Sequence, residues 1–359
     1  MDTALNATEQ LLQQSIRDYL EKEVPFNRIR EHEANGTADT SLWEYLQSAG
    51  FLSLVFREEF GGEGGSLTDL AVVVEELTRR AVVIPFVETM ACAATLQRFA
   101  APEVAKSIIQ GVIAGTITLT PAIIEDPEGG LPMTSAGGRL NGEKRFVDYA
   151  QQVTHHIVSV SEGASSALYL VEAGAPGVRP RNLTHIGRTP LAHVLYENAE
   201  GVRIAGADAE LHLRRLLRSL SAIQCLGNSQ QALDMTVEYA SMRVQFGRPI
   251  GTFQAVQHHC ANMATMVLGT RFLAYEAVWM LDTDAASDRD IARAKAWAAK
   301  TATEVPMMAH QVHGGIGYTE EYDLHFFSRR GKDRSTAWGS YDECLSMLAD
   351  TLEAEPAWQ

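Results

Sequence analysis

Two short stretches in the last third of the 359-residue chain carry residue types suited to binding chemistry. The first, MRVQFGRPIGTFQAVQHHCANM at residues 242–263, places Arg243, Phe246 and Gln254 around a turn between two helical stripes. A guanidinium fork, an aromatic ring and an amide beside a helix start suit a pyrophosphate and a flat heterocycle. The second, HQVHGGIGYTEEY at residues 310–322, stops a helical stripe at Gly314-Gly315, with Gln311 one turn earlier. Paired glycines let a ligand or another backbone approach closely. Either stretch alone reads as structure, because an arginine near a helix end and a glycine stop are common. Together they point to a binding site.

Other patterns are weaker. Gly62-Glu63-Gly64 resembles the opening of a dinucleotide fingerprint, but no strand leads into it and the third glycine is missing, so a flexible connector is expected. His310 and His313 sit three apart and present two imidazoles from one helix face. No carboxylate or cysteine completes a metal set beside them, so packing is the expected role, as for His155-His156 and His258-His259. No GxSxG elbow is present to support a serine hydrolase.

Apolar spacing outlines the elements that must hold these residues. Leu12, Ile16 and Tyr19 recur at helical spacing, as do Leu42, Leu46 and Ala49, then Leu67, Leu70, Val74 and Leu77. FREEFGGEGGS connects the last two stripes and ends in Ser66, an expected N-cap. From about Thr116 the texture is β-rich: TITLTPAII, VTHHIVSV, ALYLVEA and LAHVLYEN, separated by the turn-prone clusters DPEGG, GGRLNG, SEGASS and GAPGVRP. Short strands without intervening helices predict a small antiparallel sheet or barrel. From about Asp208 helical spacing returns in three stripes: Leu226, Leu233, Val237 and Ala240; Val256, Cys260, Met263 and Val267; Ile291, Ala294, Ala298, Val305, Met308 and Val312. These predict a bundle of long helices. The expected division is a helical domain over 1–115, a β domain over 116–207 and a helical bundle over 208–359.

The formal charge of −15 argues against a nucleic-acid surface, which needs a dense basic stripe. No stretch approaches the roughly 20 apolar residues that span a bilayer, and MDTALNATEQLLQQ lacks the pattern of a secretory signal. Cys92, Cys225, Cys260 and Cys344 are far apart without a CxxC pair, which predicts reduced thiols and a cytoplasmic protein.

The chain resembles the acyl-CoA dehydrogenase family over nearly its full length. LWEYLQSAGFLSLVFREEFGG resembles the opening helical-domain motif and GEKRFVDYA the middle-domain segment. The two C-terminal stretches match the RxxFG…Q and QxxGGxG motifs. The resemblance implies a mainly α fold with a central β domain: an N-terminal helical domain, a middle antiparallel barrel-like domain and a C-terminal four-helix bundle. It also implies FAD bound across a subunit interface, with Arg243, Phe246, Gln254, Gln311 and Gly315 reaching the FAD held mainly by the neighbouring subunit. Arg218, in LRSLSAIQCLG, is a looser match to an arginine near the catalytic base.

The family reaction is α,β-desaturation of an acyl thioester, in which a carboxylate takes the α-proton while hydride leaves the β-carbon for the flavin. In most members that base is the Glu of a Tyr-Glu-Gly-Thr stretch beyond the GGxG motif. An ungapped count along GGIGYTEEYDLHFFSRRGKDRSTAWGS places Trp338 there, then Gly339 and Ser340. Indole has no basic lone pair. In other members the Glu precedes the first-bundle-helix arginine, where this chain has Leu217. The flavin-facing loop appears as AIIEDPEGGLPM, and the Trp-Ile-Thr lining the ring as Phe146-Val147-Asp148. An anion there should oppose negative charge on the reduced ring.

The contacts given to a neighbour's cofactor are therefore kept, while those serving the chain's own are altered. The expectation is a base-deficient subunit of an α₂β₂ acyl-CoA dehydrogenase, paired with a homologous catalytic partner. By resemblance, its substrate is a bulky acyl-CoA such as a sterol side chain, and its acceptor an electron-transfer flavoprotein. Two alternatives remain: a self-sufficient homotetramer whose base has moved to Asp333, Asp342, Glu343 or Glu210, and a flavin-free binding protein on the same fold.

Overall fold

The computed structural model describes residues 4–126, 129–163 and 165–354. Met1 to Thr3 of the opening segment, and Pro127 and Glu128 of the expected flavin-facing loop, lie outside the described residues. Six helices come first: α1 (Ala7–Glu23), α2 (Phe26–Asn35), α3 (Thr40–Ser48), α4 (Leu67–Arg79), α5 (Phe86–Phe99) and α6 (Pro102–Ile113). Eight strands follow: β1 (Leu119–Ala122), β2 (Thr134–Ala136), β3 (Arg139–Asp148), β4 (His155–Glu162), β5 (Ser165–Glu172), β6 (Val178–Asn182), β7 (Leu191–Glu200) and β8 (Val202–Gly206). Then come α7 (Ala207–Met242), the short strands β9 (Val244–Gln245) and β10 (Arg248–Pro249), and four more helices: α8 (Gln254–Asp282), α9 (Asp288–His313), α10 (Leu324–Thr336) and α11 (Tyr341–Ala354). No helix among the described residues is long and apolar enough to cross a membrane.

Helix starts follow local chemistry. The Asn6 side chain accepts the Glu9 amide while Glu9 accepts the Asn6 amide, a reciprocal cap on α1. Ser287 and Asp290 do the same for α9. The chain folds as two compact units, one of Met1–Ile29, Leu67–Val82 and Arg218–Gln359, the other of Arg30–Ser66 and Val83–Leu217.

In the first unit, α4 carries two adjacent buried carboxylates, each clamped by an arginine. Glu75 takes both terminal nitrogens of Arg271 on α8, at 2.7 and 2.8 Å, and the Tyr275 hydroxyl at 2.8 Å. Glu76 takes Arg17 of α1 at 2.6 and 2.9 Å. A buried carboxylate stripped of its partner costs about 3–5 kcal/mol, so these clamps fix α1, α4 and α8 against one another.

The second unit contains two four-stranded sheets, in the orders β1-β4-β5-β8 and β2-β3-β7-β6, which share one apolar core including Val147, Val158, Val194 and Tyr196. Two details of the expected middle domain need correction. Among the described residues there is a pair of sheets rather than a closed barrel, and β1 runs parallel to β4. The clusters GGRLNG and GAPGVRP are also not turns throughout. Gly137-Gly138 turns, but Asn141 and Gly142 continue β3; Gly142 sits at φ 141°, where an added Cβ would stand 2.6 Å from the Pro132 carbonyl oxygen. Pro180 lies in β6 at a sheet edge, where a missing N–H is tolerated.

His156 of β4 lies in this core, with Nε2 donating to the Ala150 carbonyl at 2.8 Å and Nδ1 accepting from the Tyr196 hydroxyl at 2.8 Å. Burial lowers its pKa to about 4. A histidine kept neutral by folding supports stability fully above its unfolded pKa of about 6.5 and withdraws that support as pH falls towards 4. Urea unfolding at pH 7 and pH 5 should show about 2 kcal/mol of loss that His156→Gln lacks; equal losses in both proteins would contradict this.

Candidate cofactor-contact site

All five predicted contact residues lie in the first unit and are solvent-exposed. α7 ends at Met242, and β9 and β10 form a tight hairpin with Gln245 opposite Arg248. Its turn is Phe246-Gly247, at φ 55° and 80°, the left-handed pair that suits strand twist. An aromatic residue in that conformation is strained by about 1–2 kcal/mol. The strained turn holds Phe246 out at 92% exposure, edge-on to Phe253 at 6.0 Å. Arg248 covers the Phe253 ring at 4.1 Å, and the Ile250 amide returns to the Arg243 carbonyl at 2.8 Å, closing the loop.

α8 then starts at Gln254 behind Phe253, which supplies no side-chain cap. The amides of Val256 and Gln257 bond the Phe253 carbonyl, which leaves those of Gln254 and Ala255 placed to meet an anion such as a pyrophosphate.

Gln311 lies on the last turn of α9, which Gly314 ends at φ 64°. Gly315 has no left-handed φ, and an added Cβ would meet nothing within 4 Å. This chain's own packing therefore does not require glycine there. The two stretches meet through one stack: Tyr239, a turn before Arg243, lies 4.5 Å from His313, two residues after Gln311. His310 likewise stacks on Tyr318 at 4.8 Å. Packing, the expected role of both imidazoles, is what the structure shows. Arg243, Phe246, Gln254, Gln311 and Gly315 thus offer a fork, a ring, amides and an open backbone around one end of the first unit's helices, a set that fits a flavin dinucleotide.

The second region of interest is the connection after α10, where Trp338 stands. Trp338 has φ 60° and Gly339 φ 125°. The last carbonyls of a helix lack partners within it, and here side chains of α7 and α9 satisfy them. Lys295 Nζ donates to the Arg334 carbonyl at 2.6 Å and to the Ser335 carbonyl at 3.3 Å. Ser221 reaches the carbonyls of Arg334 and Ala337 at 3.1 and 3.4 Å, and Arg218 Nε holds that of Trp338 at 2.8 Å. Lys295 is fully buried, and burial lowers its pKa. Cys225 and Cys344 lie close enough to influence it, with thiol pKa values themselves raised by burial. An added Cβ at Gly339 would stand 3.1 Å from Cys344 Sγ and 3.2 Å from Arg218 Nε, so the path is tightly enclosed.

The carboxylates considered as relocated bases are mostly engaged. Glu343 accepts the Ser340 amide at 2.6 Å and Ser340 Oγ accepts the Glu343 amide at 3.2 Å, capping α11; the amide bond lowers the Glu343 pKa. Asp333 pairs with Arg334 at 2.7 Å, and Glu210 with Arg214 at 2.6 Å. Asp342 is exposed in the first turn of α11.

In the second unit, a register shift in β3 between Lys144 and Val147 puts Phe146 at φ 52° and 52% exposure, while Val147 and Asp148 are buried. Asp148, at the position that the resemblance sets beside a flavin ring, is buried, and its carbonyl accepts from Thr120 Oγ1 at 2.6 Å. Lys144, fully buried, bonds Glu125 at 2.6 Å and Ser159 at 2.9 Å, tying the loop after β1 to the sheet.

Sequence reasoning passed over Lys144 and Lys295. Both carry a findable signal. Lys144 continues the inward alternation of Leu140 and Gly142, and Lys295 falls four residues after Ile291 on the apolar face of α9. Replacing Lys295 with Met should destabilise the chain by about 2–3 kcal/mol in urea unfolding, since it strands carbonyls in a dry site. An unchanged midpoint and slope would contradict the capping role.

Comparison with known proteins agrees with this architecture. Residues 6–116 match the family model for the acyl-CoA dehydrogenase N-terminal domain, and residues 205–349 that for the C-terminal domain. Acyl-CoA dehydrogenase FadE27 of Mycobacterium tuberculosis is 31% identical over 336 residues, covering 89% of this chain and 90% of that protein. The crystal structure of the ChsE4-ChsE5 complex from the same organism superposes with a TM-score of 0.94 at 30% identity, over 99% of this chain and 100% of the matched one. A variant of the Tcur3481-Tcur3483 steroid ACAD superposes at 0.91 with 28% identity, over 97% and 98%. The chain belongs to the acyl-CoA dehydrogenase family, FAD-dependent oxidoreductases acting on the CH–CH bond of acyl-CoA thioesters.

Proposed function

We propose that this chain is the base-deficient subunit of a heteromeric acyl-CoA dehydrogenase and lends its C-terminal contacts to FAD held by a homologous catalytic partner. The observation that carries this is the outward projection of Arg243, Phe246, Gln254, Gln311 and Gly315. Gly315 is the most telling, because nothing in this chain would obstruct a side chain there. An open glycine leaves room for a ligand or a second chain to approach the backbone.

The vacant base position supports the same reading. Trp338 cannot accept a proton, and its carbonyl is already held by Arg218. Glu343, committed to the cap of α11, is a weakened base, and Asp333 and Glu210 are engaged in ion pairs with Arg334 and Arg214. In the assembly, Arg243 and the uncapped start of α8 would hold the dinucleotide phosphates, and Phe246 would lie against a flat ring of the cofactor. Gln311 and Gly315 would admit its backbone-facing side. FAD supplies the acceptor for the hydride leaving the β-carbon; the partner supplies the carboxylate.

The similarity to the ChsE4-ChsE5 complex and to a steroid ACAD makes an α₂β₂ arrangement and a sterol side-chain acyl-CoA the favoured partner and substrate class. An electron-transfer flavoprotein is the proposed acceptor, the cytoplasm the proposed location. The proposed domain division is 1–115, 116–207 and 208–359.

Expressed alone, the chain should purify without stoichiometric FAD and without dehydrogenase activity. Co-expressed with the family member encoded beside it, it should yield a yellow, active complex. Full flavin and activity in the isolated chain would end this reading. Within the complex, Gly315→Ala should leave unfolding of this chain unchanged within about 0.5 kcal/mol, yet weaken FAD binding about tenfold or more through steric exclusion. Phe246→Asn should make the isolated chain more stable by about 1 kcal/mol by relieving the left-handed turn, while the complex loses flavin. If both variants hold FAD as tightly as the wild type, these positions do not touch the cofactor.

A further inference from the structure

The last turn of α9 has two faces. Gln311 and Gly315 lie outward, whereas His310 and His313 are buried. The His313 ring stacks on Tyr239 of α7, with centroids 4.5 Å apart and planes 24° from parallel. Its Nδ1 lies 2.8 Å from the Ala309 carbonyl oxygen, so that nitrogen carries the proton. Nε2 then accepts from the Tyr322 hydroxyl at 2.9 Å. The Tyr322 ring closes the cluster, 5.0 Å from His313 and 6.4 Å from Tyr239.

The cluster sits at the root of both cofactor-contact stretches. The Tyr239 carbonyl accepts the Arg243 amide at 2.8 Å, so moving Tyr239 moves the base of the hairpin that carries Phe246. His313 stands two residues from Gln311 and two from Gly315. Gly317 presses on the other side: a Cβ there would stand 2.9 Å from that of His313. The imidazole therefore has little freedom to shift.

We propose that His313, clamped between Tyr239 and Tyr322, is the positioning residue that sets Gln311 and Gly315 against Arg243 and Phe246, and thereby governs how tightly the assembled enzyme grips FAD. This rests on the cofactor-lending role proposed above. His313 acts through its neighbours and touches neither substrate nor flavin. Protonation disturbs the arrangement, because Nε2 then donates to the Tyr322 oxygen and turns that hydroxyl's proton away, and because a charge is placed in a buried ring stack beside His310. The titratable groups around the cluster are Glu238 and Tyr239 from α7, His310 from α9, and Tyr322 and Asp323 from the segment leading into α10. Burial, then the neighbouring His310, lowers the His313 pKa. The grip is accordingly complete at and above the ordinary histidine pKa of about 6.5 and is lost as pH falls through the lowered value that His313 has in the fold.

The test is a titration of FAD into the deflavinated complex, followed by quenching of flavin fluorescence, between about pH 8 and pH 5.5. The wild-type Kd should rise as pH falls. His313→Phe keeps a stacking ring and loses both hydrogen bonds; it should raise Kd about five- to tenfold at pH 8 and flatten the pH profile, with kcat at saturating FAD within about twofold of wild type. His313→Gln, which can still donate and accept, should recover part of the affinity at pH 8 but none of the pH dependence. Tyr322→Phe leaves the stack in place and should shift Kd the same way by about threefold, which supplies the test if His313→Phe does not assemble. Wild-type affinity and pH profile in the histidine and tyrosine variants would overturn the inference. Arg243→Ala separates the two levels: weakened binding there with none in the His313 variants removes only the positioning role, whereas unchanged binding in Arg243→Ala removes the cofactor-lending role itself.

Discussion

The carbonyl groups at the end of α10 have no partners within their own helix, and a dry setting does not let them stay bare. Lys295, Ser221 and Arg218 meet that demand. The consequence reaches the chemistry. A backbone held at four carbonyls, with a tryptophan and a glycine at left-handed φ, is committed to one path through the segment that the sequence count aligns with the family's base. Arg218, which resembles an arginine near that base, is here bound to a peptide oxygen. Glu343, a few residues on, is bound to the start of α11. Arg218 and Glu343 are thus tied into holding the fold.

At the far end of the same helices the economy is reversed. The β9–β10 hairpin accepts strain to present an aromatic ring to solvent, α8 begins without a side-chain cap, and α9 stops at a glycine pair that its own surroundings leave open. Each makes sense when a charged, flat ligand and a second protein surface complete the site. Inward commitment at one end and outward availability at the other are what the proposed lending role requires.

Much of this was legible in the sequence, for reasons that particular residues make plain. Long helices announce themselves by apolar spacing, so the stripes through Ile16, Leu46, Val74, Met263 and Ala298 fall on helices. Val237 shares such a stripe yet is 46% exposed, because spacing assigns a face and not what covers it. Residues 139–142 and 178–180 read as turns because glycine and proline usually punctuate. In the fold, Gly142 is kept for close approach to Pro132 and Pro180 for a sheet edge. The five residues proposed to contact the cofactor stand in two motifs that the sequence displays. The carbonyl lock was not, since Ser221 and Arg218 reach it from more than a hundred residues away and Lys295, buried, reads as a surface residue. Nor do bulky residues signal left-handed backbone: Phe146, Phe246 and Trp338 adopt it because tertiary contacts or a tight turn override local preference.

The central claim is one of stoichiometry, and native mass spectrometry of the intact assembly counts it directly. A subunit that lends contacts without owning a pocket predicts half as many flavins as chains, with every FAD lost when the partner is removed. As many flavins as chains, or a flavin-loaded assembly made of this polypeptide alone, would contradict the account.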